Sequence, residues 1–286
     1  MHTARKPSFT PLLLLLLASL CSAGRTATAA PDLEVEQSSS MQGEFFVATV
    51  SGTPTAPSLW FDGTSYAMFP QDNGSYRTLV PVEALLKPGT YAILARHGEW
   101  QEKIPVRVIE DPHPVQEVWL DRKTSGLRAT REEKMLVKEA LQTISSEKLW
   151  NGRFSRPARG RISSPFGVKR SYNGAPISSY HKGIDIAAPL DTPIYSPADG
   201  KVILTGYAED LFHIHGNSVI LDHGHGLVSV YLHLNSISVK PDDIVARGDL
   251  IGYMGSTGIS TGSHLHWGTY LYGTSVNPLL FEERAY

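Results

Sequence analysis

The residues with most chemical potential lie in the second half of the chain. His181 and Asp185 are separated by three residues, and His264 and His266 flank a single leucine. Gly183 between the first two disfavours a helix, so a loop running into a strand is expected there. On a strand, residues i and i+2 point to the same face, which lets both imidazoles of His264-Leu265-His266 reach one site. His233, in Tyr231-Leu232-His233-Leu234, falls at the end of another expected strand. Imidazole nitrogens and a carboxylate suit zinc, which in catalytic sites keeps one coordination position open. Such an ion polarises a carbonyl and acidifies a water, while unligated histidines nearby move protons or steady an oxyanion.

Spacing alone does not choose the ligands. Three His-x-His pairs occur, His213/His215, His223/His225 and His264/His266. A lone histidine is more often a surface or hydrogen-bonded structural residue, and Asp185 alone could simply cap a turn. Eight of the eleven histidines lie in the last 106 of the 286 residues, a bias that favours a histidine-built site in that half.

The elements that must hold such a site read as mostly β. From Arg161 onward, valine- and isoleucine-rich runs alternate with glycine turns: Lys201 to Leu204, Ser218 to Leu221, Leu227 to Leu232 and Leu265 to Leu271. This predicts a mostly antiparallel β domain. An earlier series of short runs, Phe45 to Val50, Leu79 to Val82, Thr90 to Leu94 and Ile104 to Ile109, is punctuated by Gly52-Thr53-Pro54, Asp62-Gly63, Asp72-Asn73-Gly74 and Lys87-Pro88-Gly89. That pattern predicts a small β-sandwich over 32–110. Trp60, Phe61, Tyr66 and Phe69 are expected in its core rather than on a binding face. Asp111-Pro112-His113-Pro114 marks a boundary. Thr130 and Glu133 form a capping-box pattern before Val137, Ala140, Leu141 and Ile144, predicting a helix that ends near Ser145-Ser146 and links or braces the two units within 111–157. The second domain is expected over 158–286.

At the N-terminus, Arg5 and Lys6 precede Pro11 to Leu20, an apolar run too short to span a bilayer. This is a secretory signal pattern covering 1–29, with the small residues Ala27 and Ala29, or Cys21 and Ala23, offering cleavage sites. Leu20 before Cys21, the single cysteine, departs from a lipoprotein signal. Cleavage after Ala29 removes three basic residues, no acidic one and the cysteine, so the mature chain would need no disulfide. A formal net charge of −2 excludes a nucleic-acid protein held by a strongly basic surface.

The segments from about 158 to 280 resemble the lysostaphin-type, or LytM-like, zinc metallopeptidases that cut peptidoglycan peptides. Ile162-Ser163-Ser164-Pro165-Phe166-Gly167 is similar to the domain opening, and His181-Lys182-Gly183-Ile184-Asp185 to the first metal motif. Tyr231-Leu232-His233-Leu234 resembles the catalytic-histidine motif, and Gly262-Ser263-His264-Leu265-His266-Trp267 the closing one. The resemblance implies one zinc held by His181, Asp185 and His266, with His233 and His264 as the unligated catalytic pair. It gives no ligand position to His213, His215, His223 or His225; His223 is expected in a turn, and His213 and His215 on a loop, with lining of the groove as the lesser alternative. It further implies an exported, periplasmic endopeptidase on peptidoglycan peptides, with D-alanyl–diaminopimelate cross-links as the expected bond. A regulatory or adaptor protein is an additional expected partner, and the sandwich is expected to position substrate or regulate. The rival reading is a non-catalytic wall-binding module that activates other hydrolases. It predicts lost metal positions, whereas all five positions are filled here.

Overall fold

The structure is a computed structural model that describes residues 30–119, 128–177 and 179–286. The expected signal segment, including Cys21 and the cleavage site, lies outside the described residues. Among the described residues, no helix is long and apolar enough to cross a membrane.

The first unit is built from two sheets. Strands Asp32–Val35, Phe45–Ser51, Tyr76–Pro81 and Phe69–Pro70 form one, and Ser39–Met41, Trp100–Ile109, Gly89–His97, Ser58–Phe61 and Thr64–Tyr66 form the other. Their facing sides close a core around Phe46, Val50, Leu59, Val80, Ile93 and Val106. Phe61 and Tyr66 are buried in this core as expected, whereas Phe69 is buried outside it, at the contact with the second unit. Trp60 is not in the core: it alternates with Leu59 and Phe61, so it points to the outer face, where the Arg96 guanidinium lies 5.4 Å from its ring centroid.

The run Phe45-Phe46-Val47-Ala48 is apolar without alternation because its strand is buried on both faces. Phe46 and Ala48 enter the sandwich core, whereas Phe45 and Val47 join the core of the second unit together with Trp150, Phe154 and Phe281. Phe45 stacks on Phe281 at 5.4 Å and meets Tyr286 edge-on at 4.7 Å. The Tyr272 hydroxyl bridges to Thr78 Oγ1 at 2.6 Å and donates to the Ala67 carbonyl at 2.9 Å. His225 stacks flat on Phe69, with 4.0 Å between centroids. The boundary in the sequence suggests freedom between the units, but an apolar seam joins them.

The connecting span is structured where it is described. Val115–Val118 pairs in parallel with Lys169–Tyr172. A helix covers Arg131–Leu141, with the Thr130 side chain accepting from the Glu133 amide at 2.9 Å. It stops at Leu141 rather than near Ser146, and Ile144 is exposed.

The second unit is a 10-stranded sheet, antiparallel throughout, whose centre runs Arg161–Ser164, Ile184–Ala187, His264–Leu271, Leu227–Ile237, Asn217–Gly224, Gly200–Gly206 and Ile244–Val245. One face of the central strands packs Ile184, Ile186, Val219, Leu221, Tyr231, Leu265 and Trp267 into the main core. The other face carries Ile220, Val228, Val230 and Tyr270, and helix Arg131–Leu141 packs against it through Ala140, Val137 and Leu141. This second face also carries the histidines.

Candidate metal centre

Register builds the centre. Strands Ile184–Ala187 and His264–Leu271 are antiparallel, with Asp185 opposite His266 and Ala187 opposite His264. Alternation sends Ile184, Ile186 and Leu265 inward and leaves Asp185, His264 and His266 on the face away from the main core. His181 arrives from the segment preceding the first of these strands. His181 Nε2 lies 2.8 Å from Asp185 Oδ1 and 2.9 Å from His266 Nδ1, and His266 Nδ1 lies 3.0 Å from the same Oδ1. These three residues form a group whose donor atoms could hold a metal ion.

The chemistry of the three atoms fits a cation. His181 Nδ1 donates to the Pro165 carbonyl at 2.8 Å, with Ser164 Oγ at 3.1 Å, so the remaining Nε2 is directed at the other two ligand atoms. Protons can satisfy these atoms only in pairs, whereas one cation satisfies all three lone pairs together. Two imidazoles and one carboxylate are a zinc-type set. Burial alone would raise the Asp185 carboxyl, but the facing His181 and His266 rings hold it well below the usual carboxylate range. Burial pushes His266 down to about 4 despite its bond to Asp185, which favours the unprotonated ring a metal needs.

Support reaches past the three residues. Arg170 Nη2 sits 3.1 Å from Asp185 Oδ2 and 3.4 Å from Ser164 Oγ, fixing the carboxylate from behind. Gly183 leaves room for the cluster, because a Cβ there would stand 2.4 Å from the Trp267 carbonyl oxygen and 2.8 Å from His266 Nε2.

His233 reaches the same face by a backbone irregularity. Tyr231 and Leu234 both enter the main core although they are three apart, and the pairing with Asn217–Gly224 slips by one residue between them. His233 takes φ +67°, which turns its ring toward the histidine cluster instead of the interior. Its Nδ1 donates to the Thr257 carbonyl at 2.8 Å. Burial pushes His233 down to about 3, helped by His264 and His266 nearby, so the ring is neutral with an unprotonated Nε2. His264 stacks obliquely on it at 4.9 Å between centroids, with Nδ1 2.8 Å from the Gly262 carbonyl oxygen and Nε2 3.8 Å from Asp185 Oδ1. All five residues singled out in the sequence therefore converge.

The model of peptidase family M23 matches residues 179–278. Peptidoglycan DD-endopeptidase ShyA of Vibrio cholerae is 38% identical over 130 residues, covering 44% of this chain and 29% of that protein. DD-carboxypeptidase/endopeptidase Mpg of Neisseria meningitidis is 41% identical over 122 residues, 42% of this chain and 26% of that one. The chain thus matches less than a third of the length of these curated relatives. A Pseudomonas aeruginosa crystal structure assigned to peptidase M23 is 30% identical with TM-score 0.62, covering 82% of this chain and 92% of that one. The chain belongs to peptidase family M23. Its fold is the β-rich, LytM-like peptidase fold of that family, and the likeness to the Pseudomonas structure extends well beyond the residues that the family model matches.

The remaining histidines of this M23 chain divide by environment. His223 lies inside strand Asn217–Gly224, not in a turn, and is fully buried. Its Nδ1 donates to the Asp199 carbonyl and its Nε2 meets Ser229 Oγ, both at 2.7 Å, and burial pushes it down to about 4. His225 serves the seam. His215, for which the sequence offered groove lining only as the lesser alternative, lines a cavity of about 300 Å³ together with His181 and His266. Glu133, read only as a helix cap, hydrogen-bonds His215. A glutamate at that helix position gave no signal beyond the capping pattern.

Proposed function

We propose that this chain is an exported zinc metallopeptidase that hydrolyses peptide cross-links of bacterial peptidoglycan, with the D-alanyl–diaminopimelate bond as its substrate bond. The observation that carries the reading is the convergence of His181, Asp185 and His266 on one point, with His233 and His264 beside them on the side away from the protein core. The names of the relatives support the substrate: ShyA is a peptidoglycan DD-endopeptidase and Mpg a DD-carboxypeptidase/endopeptidase. Peptidoglycan lies outside the cytoplasm, which agrees with the signal pattern at 1–29 and a periplasmic location.

His181 Nε2, Asp185 Oδ1 and His266 Nδ1 would hold the ion. Zinc, when bound there, supplies Lewis acidity that polarises the scissile carbonyl and acidifies the attacking water. His233, neutral and with Nδ1 committed to Thr257, offers Nε2 to take the proton of that water. His264, with Nδ1 donating to the Gly262 carbonyl, turns Nε2 toward the reacting centre, where with a proton on Nε2 it donates to the charge developing on the carbonyl oxygen. The proton collected by the pair goes to the leaving amine. No covalent intermediate with the protein is needed.

The test is incubation of the zinc-loaded mature chain with purified, directly cross-linked sacculi, followed by mass analysis of the soluble fragments. Cross-linked dimers should fall and monomers rise, and chelator or His233→Ala should abolish the change. Unchanged dimers with a full complement of zinc would overturn the reading.

A further inference from the structure

Glu133 is diverted from the role its sequence pattern assigns. In a capping box the third residue's carboxylate turns back to the N-cap amide. Here the Glu133 side chain is fully buried and leaves the helix for the loop before strand Asn217–Gly224. Its Oε1 accepts from the Ile214 amide at 3.1 Å, the His215 amide at 3.0 Å and His215 Nδ1 at 2.7 Å. Oε2 is buried with no hydrogen-bond partner among the described residues. Burial alone would raise this carboxyl, but the bonds from His215 and the Ile214 amide bring it below the usual range, so it stays ionised.

The loop held in this way is tied to the site. The His215 carbonyl accepts from the His233 amide at 3.1 Å. Asn217 donates its amide to Thr257 Oγ1 at 2.9 Å, and the Thr257 carbonyl holds His233. With Nδ1 engaged by Glu133, His215 keeps a quarter-exposed side chain whose Nε2 has no hydrogen-bond partner among the described residues, in the cavity shared with His181 and His266. The floor of that cavity is the apolar sheet face of Ile220, Val230 and Leu232 beside the packed helix, whose Val137 and Leu141 wall it. A sheet face offers no backbone hydrogen bonds, because those lie in the plane of the sheet. Of the charged side chains on the lining, Arg170 and Lys182 only donate, whereas the Tyr180, Ser218 and Tyr270 hydroxyls can donate or accept. A peptide laid on this floor gains at His215 Nε2 a fixed ring acceptor for one of its N–H groups, and leaving such a group unpaired costs about 1–3 kcal/mol.

We propose that the Glu133–His215 pair is a substrate-binding element of the groove, in which His215 Nε2 accepts a hydrogen bond from a peptide N–H of the bound stem peptide. The inference rests on the peptidoglycan-peptide reading above but not on the cleavage step. Glu133 is the positioning residue and fixes the ring with its acceptor side outward. It belongs to a helix outside the segment that the family model matches, so the groove is completed by the connecting span.

The test is equilibrium titration of the zinc-loaded mature protein with the disaccharide-tetrapeptide monomer, a probe with no cross-link to cut. His215→Ala should weaken binding about five- to ten-fold, the worth of one hydrogen bond. His215→Gln, which keeps an acceptor, should restore most of it, and His215→Lys, which only donates, should not. Zinc content should be unchanged in all three. Equal binding by wild type and His215→Ala, or equal loss in the Gln and Lys variants, overturns the proposal. Wild-type binding without cleavage of cross-linked sacculi would sink the peptidase reading and leave this one standing. A wild type that neither binds nor cleaves would sink both.

Discussion

Asp185 and His266 are directly opposed on neighbouring antiparallel strands, with Oδ1 3.0 Å from Nδ1, so one register pair fixes two of the three candidate ligands. A slip of one residue would send one of the two into the core. The main-core residues on either side, Ile184, Ile186, Leu265 and Trp267, hold the register because each is fully buried. Removing the carboxylate should therefore empty the centre without unfolding it. Asp185→Ala should lower zinc stoichiometry from one per chain to near zero at micromolar metal while the far-ultraviolet circular dichroism stays unchanged. Retained stoichiometric zinc would remove Asp185 from the ligand set.

Arg170 acts one step further out. Its contact with Asp185 Oδ2 leaves Oδ1 facing the histidines. Partners that orient metal ligands are typically worth 10–100-fold in affinity. Arg170→Met should weaken zinc binding by about that factor in a competition titration against a chromogenic chelator, with stoichiometry still one at saturation. An unchanged affinity would reduce Arg170 to a surface contact.

Gly183 is a tight steric point of the centre. A methyl group there would press on the Trp267 carbonyl and the His266 ring, and backbone cannot yield as a flexible side chain can. Gly183→Ala should cost more zinc affinity than fold stability, read by metal titration beside a denaturant melt. A variant that binds zinc as the wild type does would show that the loop moves aside freely.

Much of this centre was legible because its geometry is local. His264 and His266 sit two apart on a strand, and the alternation of Leu265 to Leu271 gives that strand away. His233 was harder to place: alternation from Tyr231 puts it in the core, and only the bulge at φ +67° turns it out. That bulge follows from pairing with Asn217–Gly224, a contact that no local pattern records. Glu133 was misread for a similar reason. Thr130 and Glu133 satisfy the capping pattern, and the structure keeps the Thr130 half of it, but the carboxylate is claimed by a loop 81 residues away. The run Phe45 to Ala48 did carry a signal of two-sided burial in its lack of alternation, although not the identity of Phe281 as its partner.

The seam between the units should make them unfold together. Phe45 is almost fully buried between Phe281 and Tyr286, and a buried Phe→Ala change costs about 3–5 kcal/mol. The wild type should show one cooperative urea transition by both tryptophan fluorescence and circular dichroism. Phe45→Ala should lower the midpoint by the equivalent of that figure or split the curve in two. Two separate transitions in the wild type would mean that the seam contributes little.

His223 gives the fold a defined response to acid. Burial between Asp199 and Ser229 lowers its pKa from 6.5 to about 4, so the folded chain holds it neutral while the unfolded chain protonates it at the ordinary value. Between those two values the unfolded state binds more protons, and stability rises with pH. The contribution is complete above about pH 6.5 and is lost as pH falls toward 4. From pH 7.5 to pH 5 it amounts to about 2 kcal/mol at 1.36 kcal/mol per pKa unit. Asp185 and His266 have shifted values too, but they are common to wild type and variant, so the difference between them isolates His223. His223→Gln should be destabilised at pH 7.5, and its deficit relative to wild type should shrink by about 2 kcal/mol at pH 5 in metal-free urea melts. Parallel stability curves for the two proteins would show that His223 is not the group taking up the proton.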